Sequence, residues 1–430
     1  MIKRIVFFLI VIVSAQAFSQ RSSSSPYSFF GVGEEFRPRT VEQISMGGIG
    51  VAHSSIHQLN FINPAALSKL LYTTYAFGAF NNDLKVKSTT SSQSSSSTSI
   101  SYFSFAVPLG NKMGMIFGMQ PTSSVGYSLI NNIEDIDGTI IDITQFSGNG
   151  SVNRAYAGFG MQFFQGFSVG FEADFLFGNI ENNVINLRDG VDLGTRNMEI
   201  ANIRGGSIKL GMQYENKIKE DLTISAGASV KLSNTLKATG DEYLYSFRLG
   251  SFGGQIPRDT IFAGSLSGTL ERPLETAIGI GLSKENKWYA GLNYEFQNSL
   301  IAVGHLDNSS EGLRYGGSNR ISLGGFYIPK YNSISSYWHR VVYRAGFKYE
   351  KTGLLAKGIP TSTTFSAIND FGISFGLGLP ISNRSLTSLN FALEYGKKGT
   401  TSNGLLEETY LNFRVSLSLN DLWFKKRKIN

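Results

Sequence analysis

Hydrophobic and polar residues alternate along much of the chain, in segments of about ten residues. The clearest segment runs from Phe167 to Phe177. One set of alternate positions in it is apolar, namely Phe167, Val169, Phe171, Ala173, Phe175 and Phe177. The other set contains Ser168, Gly170, Glu172 and Asp174. This period of two predicts β-strands, because a helix would scatter the apolar side chains around its circumference.

Similar segments recur along the chain and predict about 14 strands. They lie near 72–82, 98–107, 113–121, 152–162, 167–177, 206–215, 222–232, 275–283, 288–297, 320–327, 340–350, 367–379, 387–395 and 409–419. About ten residues is the length that a tilted strand needs to cross a bilayer. An even number of such strands is typical of closed bacterial membrane barrels.

The links between these segments alternate in length. Short links such as 109–112 and 165–166 follow the even-numbered strands, and most links after odd-numbered strands are long. The long links are 83–97, 122–151, 178–205, 233–274 and 298–319. Short periplasmic turns and long external loops produce this alternation, whereas a soluble sandwich or propeller has no reason to keep its long loops at one end. We therefore predict an all-β fold, a transmembrane antiparallel β-barrel with both termini in the periplasm.

Two of the long links carry further signals. The stretch from Ser88 to Ser101 is a low-complexity serine tract with nothing to bury, so we predict a mobile external loop there. The 233–274 link still alternates, and could extend two strands into a hairpin above the membrane.

The chain divides into four predicted parts. Residues 1–19 form a signal peptide, with Lys3 and Arg4 before nine apolar residues; cleavage after Ala17 or after Ser19 fits the pattern. Residues 20–71 form a segment that we call the hatch, 72–424 form the barrel, and 425–430 form a basic periplasmic tail. These parts place the protein in the outer membrane of a Gram-negative cell.

The hatch is too apolar for a free periplasmic tail, yet it lacks strand alternation. Phe29, Phe30, Phe61 and Ile62 need burial, and the inside of the barrel is the place that offers it. Asn63 before Pro64 predicts a capped short helix over 64–70. We therefore expect short helices and a plug.

At this point the sequence resembles the FadL-like outer-membrane transporters of long-chain fatty acids and other hydrophobic compounds. The resemblance rests on Met46-Gly47-Gly48-Ile49-Gly50-Val51-Ala52, on Asn63-Pro64-Ala65 and on the 14 strands that follow. It implies a hatch inside the barrel and an apolar binding site near it. The implied ligand-binding and hatch residues are Phe29, Phe30, Met46, Gly47, Gly48, Phe61, Asn63, Pro64 and Ala65.

The resemblance also implies lateral release of ligand into the membrane, through an opening at a kink in the third strand. Here Pro121, Ser123 and Ser124 are the candidates for that lateral gate. Proline removes a donor from the strand ladder, as a kink or a gap in the wall requires. A proline that merely ends the strand is the alternative.

The composition of the chain excludes several kinds of protein and site. The chain has no cysteine, so disulfide scaffolds and cysteine-ligated metals are excluded, and its net charge of +7 comes without the dense basic block that nucleic-acid binding needs. His53 and His57 stand four residues apart, but no third ligand is evident, and we interpret them as polar hatch residues. We predict no enzyme, no metal and no cofactor.

The sequence therefore favours an outer-membrane transporter that takes up hydrophobic small molecules resembling fatty acids, and contacts outer-membrane lipid. The alternative is a structural or docking barrel in a larger outer-membrane secretion or assembly complex, with other outer-membrane proteins as partners. A continuous apolar cavity beside the hatch would favour transport, and a lumen filled by polar side chains would favour the structural role.

Overall fold

The structure is a computed structural model that describes residues 24–219, 221–250, 253–307, 312–358, 364–381 and 386–422. The predicted signal peptide and the basic tail lie outside these residues, and so do the ends of the mature chain. Among the described residues, no helix is long and apolar enough to span a membrane.

The described residues form one sheet of 19 strands. The first, β1 (Glu34–Glu35), belongs to the hatch. The others are β2 (Thr73–Lys87), β3 (Ser92–Pro108), β4 (Met113–Glu134), β5 (Ile140–Phe164), β6 (Phe167–Arg188), β7 (Gly194–Lys219), β8 (Leu222–Lys231), β9 (Asn234–Leu249), β10 (Gln255–Arg272), β11 (Glu275–Lys284), β12 (Trp288–Gln297), β13 (Ile301–Gly304), β14 (Leu313–Tyr315), β15 (Ser318–Tyr327), β16 (Val342–Ala356), β17 (Ser366–Pro380), β18 (Ser388–Gly399) and β19 (Glu407–Asp421).

These strands build a closed antiparallel barrel. Four pairs of consecutive strands, β8 with β9, β10 with β11, β12 with β13 and β14 with β15, continue one another along the wall, which therefore has 14 strands. β19 closes the barrel on β2, from Glu407↔Lys87 to Asp421↔Thr73. The predicted 14-stranded antiparallel barrel is confirmed.

The helices are short. The hatch contains a 3-10 helix (Pro26–Phe29), the α-helix α1 (Val41–Ile44) and a second 3-10 helix (Pro64–Lys69). Two further 3-10 turns, Trp338–Arg340 and Ser402–Gly404, lie in links between wall strands.

The predicted long links at 83–97, 122–151, 178–205 and 298–319 are wrong, because strands occupy much of each. β2 and β3 pair as far as Lys87↔Ser92, so the serine tract is largely strand rather than a loop. β4 and β5 pair as far as Glu134↔Ile140. A ladder needs only backbone groups, so a strand can continue beyond the membrane, where no lipid requires every second side chain to be apolar. The predicted hairpin within 233–274 is confirmed, as β9 and β10.

The wall strands are much longer on one side of the barrel than on the other. β4 to β7 contain 22, 25, 22 and 26 residues, whereas β16 to β19 contain 15, 15, 12 and 15. Because about ten residues cross a bilayer, the long strands rise well beyond it. We call this rise the crest, formed by residues 125–152, 176–204, 236–250 and 253–270.

The inner side of the crest has its own apolar core. Its buried members are Val32, Val125, Tyr127, Val152, Leu176, Ile180, Ala201, Ile203, Leu236, Ala238, Leu266, Leu270 and Leu306. Phe29 of the hatch packs against this cluster. Side chains therefore pack across the lumen at the crest end.

The side chains of β6 point outward and inward in the order that the alternation of apolar and polar residues predicts. Phe171 and Phe175 are exposed on the outside of the barrel, while Glu172 and Asp174 are buried on the inside. The outer face thus carries the apolar side chains that a lipid environment requires.

The exposed position of Phe171 gives a stability prediction. Phe171→Arg should lower the free energy of unfolding from lipid by about 2–4 kcal/mol, since a cation there would face hydrocarbon near the midplane. Phe171→Leu is the matched control and should change little. Urea unfolding in lipid vesicles measures both, and equal stability of the two variants would contradict the assigned facing.

Candidate functional site

The hatch approaches the wall closely where the wall strands carry glycine. A Cβ at Gly346 would lie 2.1 Å from the backbone nitrogen of Gly47, and one at Gly170 would lie 2.4 Å from the carbonyl carbon of Pro64. Gly47 itself has φ +73°, a conformation that favours glycine. The glycines therefore let the hatch backbone rest directly on the inner wall.

The Asn63-Pro64-Ala65 triplet fixes one end of the hatch. Asn63 Oδ1 accepts a hydrogen bond from Ala65 N at 3.1 Å, as the capping prediction expects. Asn63 Nδ2 donates to Val51 O at 2.8 Å and to Met212 O of the wall at 2.9 Å. One side chain thus caps the 3-10 helix, holds the preceding hatch loop and binds the barrel.

Asn63→Ala should loosen the hatch and leave the barrel folded. The lost cap costs about 1 kcal/mol, and the buried carbonyls of Val51 and Met212 lose their partner as well. Limited proteolysis should then cut within 24–71, while the heat-dependent gel shift of the folded barrel persists. A cleavage pattern identical to that of the wild type would contradict this role.

Of the predicted ligand-binding residues, Phe30, Gly47 and Gly48 line one chamber of the lumen, and the others lie elsewhere in the described part of the chain. Phe61 packs edge-on against Tyr102, with ring centroids 5.0 Å apart. Phe29 packs against Tyr127 at 5.2 Å, and Phe30 against Tyr315 at 4.3 Å. Met46 packs elsewhere, against Tyr289 of the wall. The two ends of the hatch therefore join separate aromatic clusters.

Two arginines join the hatch to the wall. Arg37 contacts Glu275 at 2.7 Å, Glu350 at 3.0 Å and Glu295 at 3.5 Å. Arg39 contacts Glu295 at 2.6 Å and donates to the carbonyl oxygen of Gly48 at 3.0 Å. These contacts were not predicted from the sequence, although the acidic residues that face inward on several wall strands were a usable signal.

A second charged network lies inside the wall. Arg154, which has no exposed side-chain surface, contacts Glu172 at 2.7 Å and Asp174 at 2.9 Å. Lys209 contacts Glu172 at 2.7 Å and donates to Phe61 O of the hatch at 3.0 Å. Glu172 and Asp174 are thus neutralised by basic residues.

Beside the hatch lies a chamber of about 320 Å³. Some of its lining is apolar, such as Phe30, Phe80 and Leu84, but much of it is charged. The charged residues are Glu34, Glu35, Arg37, Arg39, Lys231, Arg272, Glu275, Arg320, Lys348, Glu350, Asp370, Glu394, Lys398, Glu408 and Arg414. Charged and apolar side chains therefore share the lining of this chamber.

The wall has an opening between β3 and β4. Their pairing runs from Pro108↔Gly114 to Phe103↔Met119 and then stops, although β4 continues along β5. Pro121 lies just beyond this point, at a register shift against β5, and does not end the strand. The gate candidates Pro121, Ser123 and Ser124 thus border a gap in the ladder.

The hatch fills part of this opening from within. β1 pairs with β4 as Glu34↔Ser124 and Glu35↔Ser123, and Phe36 N donates to Thr122 O at 2.7 Å. Ser123 and Ser124 are buried. In this structure the opening is therefore covered at the positions where a lateral gate would have to pass a ligand.

The two histidines of the hatch form no metal site in the structure. Burial lowers the pKa of His53 and of His57 to about 4. His53 packs edge-on against Tyr289, with ring centroids 4.7 Å apart. The described residues contain no group of three or more histidine or acidic side chains placed to hold a metal ion.

Comparison with known proteins identifies one matching family and several solved structures that have the same fold. A family model described as BamG matches residues 1–430. No curated protein matches the chain. The toluene transporter TodX of Pseudomonas putida aligns over 91% of this chain and 99% of its own, with 16% identity and a TM-score of 0.59.

Two further solved structures share the fold. The CymD monoaromatic hydrocarbon channel aligns over 91% of this chain and 99% of its own, with 15% identity and a TM-score of 0.54. A FadL homologue of Pseudomonas aeruginosa aligns over 90% and 99%, with 11% identity and a TM-score of 0.57. The resemblance to FadL-like barrels is thereby confirmed for the fold.

Proposed function

The chain belongs to the BamG family, and we propose that it is a structural and docking barrel of a larger outer-membrane protein assembly. The observation that supports this most directly is the lumen, in which buried ion pairs join the hatch to the wall. Arg37 and Arg39 bind three wall carboxylates, and charged side chains stand among the apolar ones that line the chamber beside them.

The energetics of this lumen disfavour an apolar cargo. A hydrophobic solute gains about 25 cal/mol for each Å² that it buries against apolar surface. In the chamber the solute would instead displace water from ionised groups, and stripping water from a charge costs several kcal/mol. A barrel whose hatch is joined to the wall by buried ion pairs is better suited to holding partners than to passing solutes.

The crest supports the same role. It rises beyond the length that a bilayer requires and exposes apolar side chains, among them Leu129, Ile130 and Ile133 of β4. We propose that the crest faces outward from the outer membrane and that the C-terminal end of β19 faces the periplasm. Residues 1–19 would then direct export, as a signal peptide does.

Uptake of hydrophobic compounds is a second candidate, and the opening between β3 and β4 favours it. Movement of β1 away from Ser123 and Ser124 would connect the chamber to the membrane and permit lateral release. The names of TodX and CymD, a toluene transporter and a hydrocarbon channel, fit such a role. Under this candidate the ligand would be a fatty acid or a related apolar molecule.

Depletion of the protein in its own cells separates the two functions. The docking role predicts that several other outer-membrane proteins decrease in amount, while the uptake rate of a radiolabelled long-chain fatty acid stays unchanged. Re-expression of the full chain is the control and should restore those proteins. A fall in fatty-acid uptake with an unchanged outer-membrane proteome would contradict the docking role and favour transport.

A further inference from the structure

The crest contains an unpaired strand edge next to the wall opening. From Ser128 to Glu134, β5 is the only strand that pairs with β4 among the residues that the structure describes. Across the opening, residues 92–98 of β3 pair with β2 and with no other strand in the described part of the chain. Two strand edges therefore border one cleft.

We propose that the free edge of β4 from Ser128 to Glu134 binds an extended polypeptide segment of a partner protein, which adds to the sheet as a further strand. This inference rests on the proposed docking function and names the surface that carries it. Strand addition of this kind draws its affinity from main-chain hydrogen bonds and its specificity from alternate side chains.

The edge already accepts a strand in the structure. The hatch strand β1 occupies Ser123 and Ser124, and Gly126 N donates to Ser28 Oγ at 3.1 Å. Backbone groups of every second residue point to the same side of a strand. The groups of Ser128, Ile130 and Asn132 therefore point away from β5 into the cleft.

The sequence of this edge lacks the residues that usually prevent an exposed edge strand from pairing with another chain. Native edge strands are blunted by lysine, proline or inward-pointing charges. From Ser128 to Glu134 the edge contains no proline and no lysine, and Glu134 is its one charged residue. On the far side of the crest, the edge of β10 carries Pro257, Arg258 and Asp259. Only the β10 edge is therefore equipped to stay unpaired.

The position of the edge favours a polypeptide over a lipid. A tilted strand crosses the hydrocarbon core in about 9–11 residues, so β4 leaves it near Ser123, counting from Met113. An acyl chain has no donors or acceptors to offer backbone groups, whereas a strand supplies both. The exposed Ile130 gives such a strand an apolar contact as well.

Photo-crosslinking in intact cells tests the inference. The full chain carries p-benzoylphenylalanine at Ser128, Ile130 or Asn132, one at a time, and the crosslinked peptides are sequenced by mass spectrometry. We expect adducts with one polypeptide, in which each two-residue step along β4 moves the crosslink by two residues in the partner. That stepwise register is the signature of a strand ladder.

Proline variants give an independent readout. With the crosslinker at Ser128, Asn132→Pro should reduce the adduct about tenfold, because proline removes one donor on the cleft side and leaves the bonds to β5 in place. Asn132→Ala is the matched control and should keep the adduct. An unchanged heat-dependent gel shift verifies that both variants fold.

Several results would overturn the inference. They are adducts with lipopolysaccharide only, adducts with a second copy of this chain only, crosslinks without a constant register, and an adduct that survives Asn132→Pro. If partner proteins still co-purify with the Asn132→Pro variant, the edge is not their binding site, but the docking function stands. If the wild type co-purifies with no partner, both proposals fail.

Discussion

Replacing Arg154 by alanine should lower the free energy of unfolding by about 3–5 kcal/mol. Its guanidinium group is fully buried between Glu172 and Asp174, at 2.7 and 2.9 Å. Removal would leave two carboxylates with too little positive charge nearby, since Lys209 lies close to Glu172 alone and Lys231 is 3.9 Å from Asp174. Urea unfolding in lipid vesicles measures the loss.

Two variants serve as controls for this result. Lys397→Ala removes a pair with Glu407 in which the lysine is 53% exposed, and it should cost about 1 kcal/mol or less. Adding Asp174→Asn to Arg154→Ala should recover part of the lost stability, because it removes one uncompensated charge. If Arg154→Ala and Lys397→Ala lowered the free energy of unfolding by the same amount, the buried network would stabilise the protein no more than an exposed ion pair does.

Arg37→Ala should release the hatch from the wall. Glu275, Glu295 and Glu350 converge on this side chain from three wall strands, and its loss would leave them facing one another with Arg39 and Arg320 as the nearby cations. Repulsion among buried carboxylates then favours any hatch position that admits water. The barrel wall itself keeps its ladder and stays folded.

A single introduced cysteine makes this release measurable, since the chain has none of its own. Ser45→Cys places a thiol in a fully buried hatch position. Its rate of maleimide labelling should rise about tenfold or more in the Arg37→Ala background. Lys69→Ala, which removes a half-exposed hatch lysine paired with Glu215, is the control and should leave the rate unchanged. A labelling rate unaffected by Arg37→Ala would mean that other contacts hold the hatch.

The sequence predicts the wall strands best where one face of the strand contacts lipid and must be apolar, while the other faces the lumen and is polar. Phe171 and Glu172 in β6 are such a pair, and so the strand and its facing follow from the pattern. In the crest both faces of the wall meet water or a local core, so β5 from Ile140 to Ser151 has no clean alternation. Strand formation there depends on neighbouring ladders, which no local pattern reveals.

The hatch was predictable only in part, for a similar reason. The Asn63 cap depends on residues two positions apart and is visible in the sequence. The contacts of Arg37 with Glu275 and Glu350 join residues hundreds of positions apart, and they exist only because the barrel closes. Pro121 lies two residues beyond Met119, the last residue of β4 that pairs with β3, but the continuation of β4 along β5 could not be foreseen from proline chemistry.

Purification of the intact protein tests the docking function most directly. The chain, tagged at its C-terminus, is extracted from outer membranes in a mild detergent, and bound proteins and bound lipids are both quantified by mass spectrometry. We expect a stable assembly with partner proteins at fixed stoichiometry and no apolar molecule bound one-to-one inside the barrel. A solitary barrel that carries one hydrophobic ligand per chain would contradict the account.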